Sequence, residues 1–443
     1  MELISRDHYL EKVLRFRDSD LIKVVTGIRR CGKSTLLEMI AAYFIAEGAS
    51  KEQIIKLNLE SKKEGIPKDE DSLYNYFKHR LPKDKRAYLF IDEVQRIRGW
   101  ENAVNGMRVD FNCDIYVTGS NAYLLSSELA TYLSGRYIEI KMLPLTFEEY
   151  LRFRGFNIES VLGLADNSPS SNLYRNSPDL ISDGDAFYLT ENLFNEYRQV
   201  GGMPALSKRS VSLDRHREYM RTLDNSIVTR DILDRERAPS RRMITNPDLF
   251  RRLQLFLADN IGNSNSFNSI NNSLKAEHLN HTNQTIEAYI KAMEEAYLFY
   301  SVQRFDIKGK QYLKTLGKHY IADVGLRNYL LGYRDTDRGR VLENIIFCQL
   351  LYNGFDVSIG KTSVGEVDFI ATKPGLRMYI QVTDDMRDEM TQEREMKPFR
   401  TIPDAYPRYI IVGEGSYPVD IEGVRIVKAI DFLLGKTYAE LKG

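Results

Sequence analysis

Cysteine is scarce in this chain: three occur in 443 residues, Cys31, Cys113 and Cys348. They are too scattered to form a metal-ligand spacing or a disulfide framework. An excess of one charge is also missing, since Lys+Arg and Asp+Glu both total 62. Global electrostatics therefore give no argument for nucleic acid or a membrane surface, and any basic surface has to be local. No window approaches the roughly 18 uninterrupted apolar residues of a membrane span. The opening residues, Met1-Glu2-Leu3-Ile4-Ser5-Arg6-Asp7, lack the charged, apolar and small-residue succession of a secretory signal. A soluble, cytoplasmic protein is expected. Its apolar fraction of 43% is ordinary for a globular chain, and its length calls for about two to four domains.

The most informative motif is Gly27-Ile28-Arg29-Arg30-Cys31-Gly32-Lys33-Ser34, which follows the apolar run Leu21 to Val25 and opens a helical pattern, Ser34 to Phe44. Strand, glycine-bearing loop and helix N-terminus form the context of a phosphate-binding P-loop. In that reading Gly27 and Gly32 let backbone N–H groups face phosphate, and Lys33 reaches the β/γ oxygens. The Ser34 hydroxyl ligates Mg²⁺, and Thr35 continues the binding turn. A second half-site is expected on a neighbouring strand, and Tyr88-Leu89-Phe90-Ile91-Asp92-Glu93 supplies it. Asp92 would hold the Mg²⁺ shell and Glu93 would polarise water for attack on the γ-phosphate. A single carboxylate after a buried strand often only caps the next helix; the pair favours hydrolysis.

Five β-type runs precede residue 145: Leu21 to Val25, Gln53 to Leu59, Ala87 to Ile91, Cys113 to Thr118 and Tyr137 to Lys141. Helical patterns separate most of them, which implies an α/β fold with a parallel five-stranded sheet and right-handed crossovers. A P-loop after the first strand and an acidic pair after the third suit a P-loop ATPase with an additional strand between those two. That strand would be Cys113 to Thr118, placing Ser120 or Asn121 beside the γ-phosphate as a polar sensor. An ordinary Gly-Ser-Asn turn is the alternative.

Further along come Thr118-Gly119-Ser120-Asn121, Ser134-Gly135-Arg136-Tyr137 and Leu143-Pro144-Leu145-Thr146-Phe147-Glu148-Glu149-Tyr150-Leu151. Together with Gly201-Gly202-Met203-Pro204, Val228-Thr229-Arg230-Asp231 and Gly339-Arg340-Val341-Leu342-Glu343-Asn344, they resemble AAA-type ATP-binding proteins of bacteria and archaea with a C-terminal domain of unknown function. The resemblance spans nearly the whole chain. It implies an AAA-type ATPase core with ATP and Mg²⁺ as ligands. It also makes Arg136 the residue to test as an arginine finger, in cis or in trans, against the alternative of a surface arginine satisfying a carboxylate.

The remainder divides by composition. Residues 1–150 form the expected ATPase core, and 151–245 a helical lid or linker with a flexible insertion at 163–184 rich in Ser, Asn, Asp and Pro. Long helical patterning over Ala186 to Leu233 precedes an arginine cluster, Arg235, Arg237, Arg241 and Arg242. Three helical segments and a hairpin over 246–325 suggest a winged helix-turn-helix. Thr282, Asn283 and Gln284 would open its recognition helix, and Lys308, Lys310, Lys314 and Lys318 would line the wing. Glu287, Glu294 and Glu295 on that helix would repel phosphates.

Residues 326–443 read as a small α/β domain resembling restriction endonucleases, with Glu343 on a helix and Asp368 on a strand. Where such nucleases carry Glu-x-Lys this chain has Gln381-Val382-Thr383, so the domain is expected to be degenerate, with Lys361 as the substitute lysine. The expected activity is Mg²⁺-dependent ATP hydrolysis that moves these attached domains. A nucleotide-gated DNA-binding regulator and an ATP-regulated nuclease are the alternatives. Double-stranded DNA, a protein partner or a homo-oligomer stand open as partners besides ATP.

Overall fold

A computed structural model describes residues 4–120, 135–156, 180–183, 186–207, 213–233, 244–275 and 282–436. The chain divides into two units: residues 1–143 with 295–297, and 144–294 with 298–443. Asn121, residues 163–179 of the expected insertion and the cluster Arg235, Arg237, Arg241 and Arg242 lie outside the described residues.

In the first unit, α1 (Asp7–Leu14) precedes β1 (Ile22–Thr26), α2 (Lys33–Ala46), β2 (Ile54–Asn58) and α3 (Glu70–Lys78). Then come β3 (Ala87–Asp92), α4 (Trp100–Asp110), β4 (Cys113–Gly119) and β5 (Tyr137–Lys141). Each of the first three crossovers contains a helix, so the strands return parallel, in the order β2-β3-β4-β1-β5. The additional strand, β4, lies between the P-loop strand β1 and the acidic strand β3, as the motif spacing implies. Every residue of β1, β3 and β4 is buried, which is why these strands read as continuous apolar runs rather than alternating ones. On one face Leu89, Ile91 and Val117 pack with Phe77, Trp100 and Met107. On the other, Phe90 stacks on Tyr116 at a centroid distance of 5.0 Å, and Phe44 of α2 meets Tyr116 edge-on at 5.7 Å.

The second unit begins with α5 (Phe147–Phe153), whose Thr146 and Glu149 form a reciprocal capping box. A two-stranded hairpin follows, β6 (Leu180–Asp183) and β7 (Ala186–Leu189), then α6 (Thr190–Val200) and α7 (Leu213–Ser226), the last continued as a π-helix, Ile227–Leu233. Helical patterning thus begins at Thr190 rather than Ala186, because Ala186 to Leu189 is paired into the hairpin. Next are α8 (Pro247–Asp259), α9 (Phe267–Lys275), α10 (Asn283–Glu295), β8 (Phe299–Asp306) and β9 (Gln311–Ile321). The chain continues through α11 (Val324–Leu331), α12 (Arg338–Tyr352), β10 (Asp356–Lys361), β11 (Glu366–Lys373) and β12 (Leu376–Thr383). It closes with α13 (Glu389–Met396), β13 (Arg408–Val412), β14 (Asp420–Ile421), β15 (Val424–Lys428) and α14 (Ala429–Leu433).

Eight of these strands form one sheet, β14-β15-β13-β12-β11-β10-β8-β9. The hairpin β8–β9 is its edge, because β8 pairs in parallel with β10. Period-2 alternation sorts the side chains between two cores: Met378, Ile380, Tyr409 and Ile411 face Phe347 and Leu350 of α12, while Tyr379, Ile410 and Val412 face Met396 and Phe399.

Within the first sheet one polar pair is fully enclosed. Lys23 on β1 donates to Asp114 on β4, and both side chains are 0% exposed. Asp114 also accepts from the Tyr116 hydroxyl at 2.6 Å and the Asp18 amide at 2.8 Å. Burial pulls the Lys23 ammonium below the ordinary lysine range, and Asp114 offsets only part of that. Removing one partner strands a buried charge, whereas removing both does not. Asp114→Leu is expected to destabilise the unit by about 3–5 kcal/mol, and Lys23→Met/Asp114→Leu by far less, in denaturant melts. Once Asp114 is gone, Lys23 binds its proton less tightly in the folded state than in the unfolded one. The deficit should therefore shrink as pH rises toward the ordinary lysine value of about 10.4. Equal losses in single and double variants, or a deficit flat with pH, would contradict this reading.

Candidate nucleotide-binding site

β1 ends at Thr26 and the chain turns through residues 27–32 into α2. Gly27 has φ +140°, and a Cβ there would stand 2.1 Å from the Met142 carbonyl oxygen, so only glycine fits. Gly32, at φ +108°, is the N-cap of α2. No acidic residue occupies the first turn of this helix, which leaves its positive dipole end suited to an anion. Arg6, 3% exposed, ties the loop down by donating to the carbonyls of Cys31 at 3.1 Å and Leu143 at 3.0 Å. Cys31 is buried, its Sγ 3.5 Å from the Met142 carbonyl oxygen, so it fills space within the loop.

Lys33 bends back over the loop, its Nζ donating to the carbonyls of Gly27 at 2.9 Å and Ile28 at 3.1 Å. Those are weak partners for an ammonium compared with phosphate oxygens, for which they can be exchanged. Ser34 and Thr35 lie exposed in the first turn of α2. The Ser34 hydroxyl donates to Asp92 Oδ1 at 3.0 Å.

Asp92, 8% exposed, gathers the ends of three neighbouring elements. Its Oδ1 accepts from Ser34 and from the Thr118 hydroxyl, and its Oδ2 accepts from the Asn58 amide at 3.1 Å. Glu93 follows in the left-handed region, φ 58° and ψ 48°, a conformation costing a non-glycine residue about 1–2 kcal/mol. It persists because the Glu93 N–H donates to Thr118 at 3.0 Å and its Oε2 accepts from the Gln95 amide and, at 3.4 Å, from Ser120. A serine hydroxyl and a buried carboxylate beside a helix N-terminus make a hard oxygen set suited to Mg²⁺. The parallel strand order brings Lys33, Ser34, Asp92, Glu93 and Ser120 to one end of the sheet.

Arg136 is elsewhere. It is exposed at the start of β5, its carbonyl accepting from Ile22 and its guanidinium 3.4 Å from Asn105 on α4. β5 runs parallel to β1 with Tyr137 opposite Ile22, so Arg136 stands at the far end of β1 from the phosphate loop, about 13 Å away along the strand. Its partner there is an amide oxygen, neither the phosphate loop of its own chain nor the carboxylate of the surface alternative.

Sequence reasoning passed over Asn58, Thr118 and Arg6. Asn58 and Thr118 were visible as polar residues closing apolar strands; Arg6 had no local signal. Beside them Arg29 at 3.1 Å and Arg96 at 2.9 Å share Glu60. Burial raises Glu60, but the two guanidiniums overcome it and hold the carboxyl below its usual range.

In the second unit the residues expected at a nuclease-like centre do meet, with a different lysine. Lys318 on β9 donates to Glu343 Oε1 at 3.0 Å and Asp368 Oδ1 at 3.2 Å. Tyr320, two residues on along the same face, donates to Glu343 at 2.7 Å. Asp368 Oδ2 accepts the Val382 N–H at 3.0 Å, and the Gln381 side-chain oxygen accepts the Asp368 N–H at 3.2 Å. Thr383 instead donates to the Asp385 carbonyl. Lys361 sits opposite Glu366 at the end of β10 and does not join the cluster. Lys318, expected on a DNA-facing wing, is 5% exposed.

Asn58 and Thr118 are positioning residues for Asp92. Asn58→Ala is expected to raise the Mg²⁺ concentration needed for half-maximal ATP turnover by about 10- to 100-fold, and to lower the melting temperature because the buried Asp92 loses one donor. A fall in kcat with no change in Mg²⁺ dependence would assign Asn58 a merely structural role.

A family model described as an AAA domain matches residues 19–151, and one described as a domain of unknown function, DUF8612, matches residues 191–337. A Haemophilus influenzae protein described as uncharacterized is 36% identical over 433 residues, 98% of this chain and 99% of its own. A Methanocaldococcus jannaschii protein of the same description is 28% identical across 85% of this chain and 78% of its own. Among solved structures, the Walker-type ATPase of Pyrococcus abyssi covers 74% of this chain and 95% of its own at 13% identity, with a TM-score of 0.43 that carries no argument. No helix among the described residues is long and apolar enough to cross a membrane. The chain belongs to one family with the Haemophilus influenzae protein, and its first third is an AAA domain with a P-loop ATPase fold.

Proposed function

We propose that this protein is a Mg²⁺-dependent ATPase. The observation that carries the proposal is the junction of Ser34, Asp92 and Glu93, with Asp92 bonded to Ser34 at 3.0 Å and Glu93 held in a strained backbone conformation by Thr118, Gln95 and Ser120. A nucleotide-binding module has no need of that second, oriented carboxylate. Lys33 exchanges its loop carbonyls for the β/γ-phosphate oxygens, and the N-terminus of α2 receives the β-phosphate. Ser34 and Asp92 would hold Mg²⁺, which when bound would neutralise the charge that develops on the transferring group. Glu93 orients a water and takes up its proton, while Ser120 fixes the Glu93 carboxylate and senses the γ-phosphate. Arg136 is left out of this set on its own chain because it stands at the other end of the sheet.

Glu93→Gln keeps the shape and removes the base. Phosphate release is expected to fall about 10²- to 10⁴-fold while ATP is still retained, and Lys33→Ala is expected to lose ATP binding itself. Unchanged phosphate release by Glu93→Gln would overturn the hydrolysis assignment.

The same reading argues against double-stranded DNA as the activator. Lys318 is withdrawn from the hairpin surface, Lys308 and Lys310 are exposed on it, the Lys314 side chain lies outside what the structure describes, and Glu287 is exposed on α10. Turnover is expected to be indifferent to double-stranded DNA between low and moderate salt. Stimulation that fades as salt rises would instead indicate phosphate-backbone contacts.

A further inference from the structure

Two carboxylates on different elements, Glu343 of α12 and Asp368 of β11, converge in the second unit, and what lies between them is an amine. Their side chains are each 13% exposed and that of Lys318 is 6% exposed. In a site so poor in water, two adjacent carboxylates need a cation, and a divalent metal or an ammonium can supply it. Lys318 reaches both at hydrogen-bonding distance. Part of the remaining acceptor capacity is engaged as well: Tyr320 donates to the same Glu343 oxygen, and the Val382 amide donates to the second oxygen of Asp368. Position 381, where a third carboxylate would complete a metal set, holds a glutamine whose side-chain oxygen is turned to the Asp368 N–H.

Access is restricted from the chain's own side. Gly262 has φ +72°, and a Cβ there would lie 2.8 Å from Glu343 Oε2, so the turn after α8 passes directly over the carboxylate. The Gly262 N–H is fastened to the His319 carbonyl at 3.2 Å, between Lys318 and Tyr320. A phosphodiester approaching Glu343 would meet this backbone first. Among the described residues no group of three or more His, Cys, Asp or Glu is placed to hold a metal.

We propose that the Lys318 ammonium is the resident cation of this centre, occupying the place between Glu343 and Asp368 that a divalent metal would otherwise take. The second unit therefore holds an ammonium where two converging carboxylates would otherwise draw a divalent metal, and removal of that amine leaves both carboxylates without their cation. Burial alone would lower the Lys318 pKa, but Glu343 and Asp368 raise it above the ordinary lysine range. Burial pushes the Glu343 carboxyl up to about 7, and the Lys318 ammonium opposes that rise.

The experiment is a Mn²⁺ titration, followed by electron paramagnetic resonance, of the nucleotide-free full chain carrying Asp92→Asn, which removes the carboxylate of the other site. With Lys318 present, no Mn²⁺ is expected to bind at this centre in the micromolar range. Lys318→Met is expected to bind one Mn²⁺ per chain, lost again in Lys318→Met/Asp368→Asn. In EDTA it should melt lower by about 5 °C or more, with Mn²⁺ restoring the loss. Lys318→Gln, which keeps a hydrogen-bond donor, serves where the methionine variant does not fold. Binding of Mn²⁺ by the Lys318-containing chain that Asp368→Asn abolishes would overturn the proposal, as would failure of a folded Lys318 variant to gain Mn²⁺.

Discussion

A carboxylate that is 8% exposed is costly unless its lone pairs are spoken for, and Asp92 satisfies that requirement by drawing together the ends of β2, β4 and α2. Asn58, Thr118 and Ser34 each donate to it. The need to solvate one buried charge therefore fixes how far α2 stands from β3 and, with it, where the P-loop opens. Glu93 depends on the same constraint, because Thr118 bonds both to Asp92 and to the Glu93 amide. The strained turn that aims Glu93 is held by a hydroxyl already committed to its neighbour.

The two units meet the problem of buried charge in different ways. In the first, Asp92 retains exposed oxygen partners such as Ser34, whose hydroxyl can turn to a metal ion. In the second, Glu343 and Asp368 are answered by a lysine from their own sheet. Both centres place carboxylates at the junction of a helix and a strand, yet only the first has a helix N-terminus and a loop shaped to receive phosphate. The chemistry assigned to the chain accordingly rests on the first.

Much of the first unit could be read from residues near one another in sequence. The P-loop, the acidic pair and the five strands are local signals, since a glycine pattern, a short apolar run and a strand–helix alternation all arise within a few turns of chain. The insertion of β4 between β1 and β3 followed from motif order and proved correct. Ala186 to Leu189 misled, because a four-residue apolar run has no distinguishing period and pairing with Leu180–Asp183 decided it. Arg136 shows another limit: a motif position indicates a neighbour in sequence, but strand direction determines which end of its own sheet it occupies.

The sequence by itself determined the phosphate loop, its strand and helix, and the carboxylates that follow β3, because those properties depend on backbone geometry set by adjacent residues. Only the tertiary structure decided that Asn58 and Thr118 orient Asp92, that Arg6 braces the loop, and that Lys318 rather than Lys361 joins Glu343 and Asp368. These pairings link residues 25 to 137 positions apart. Which distant donor answers a buried charge is settled by strand order and register, and no local pattern of residue types encodes either.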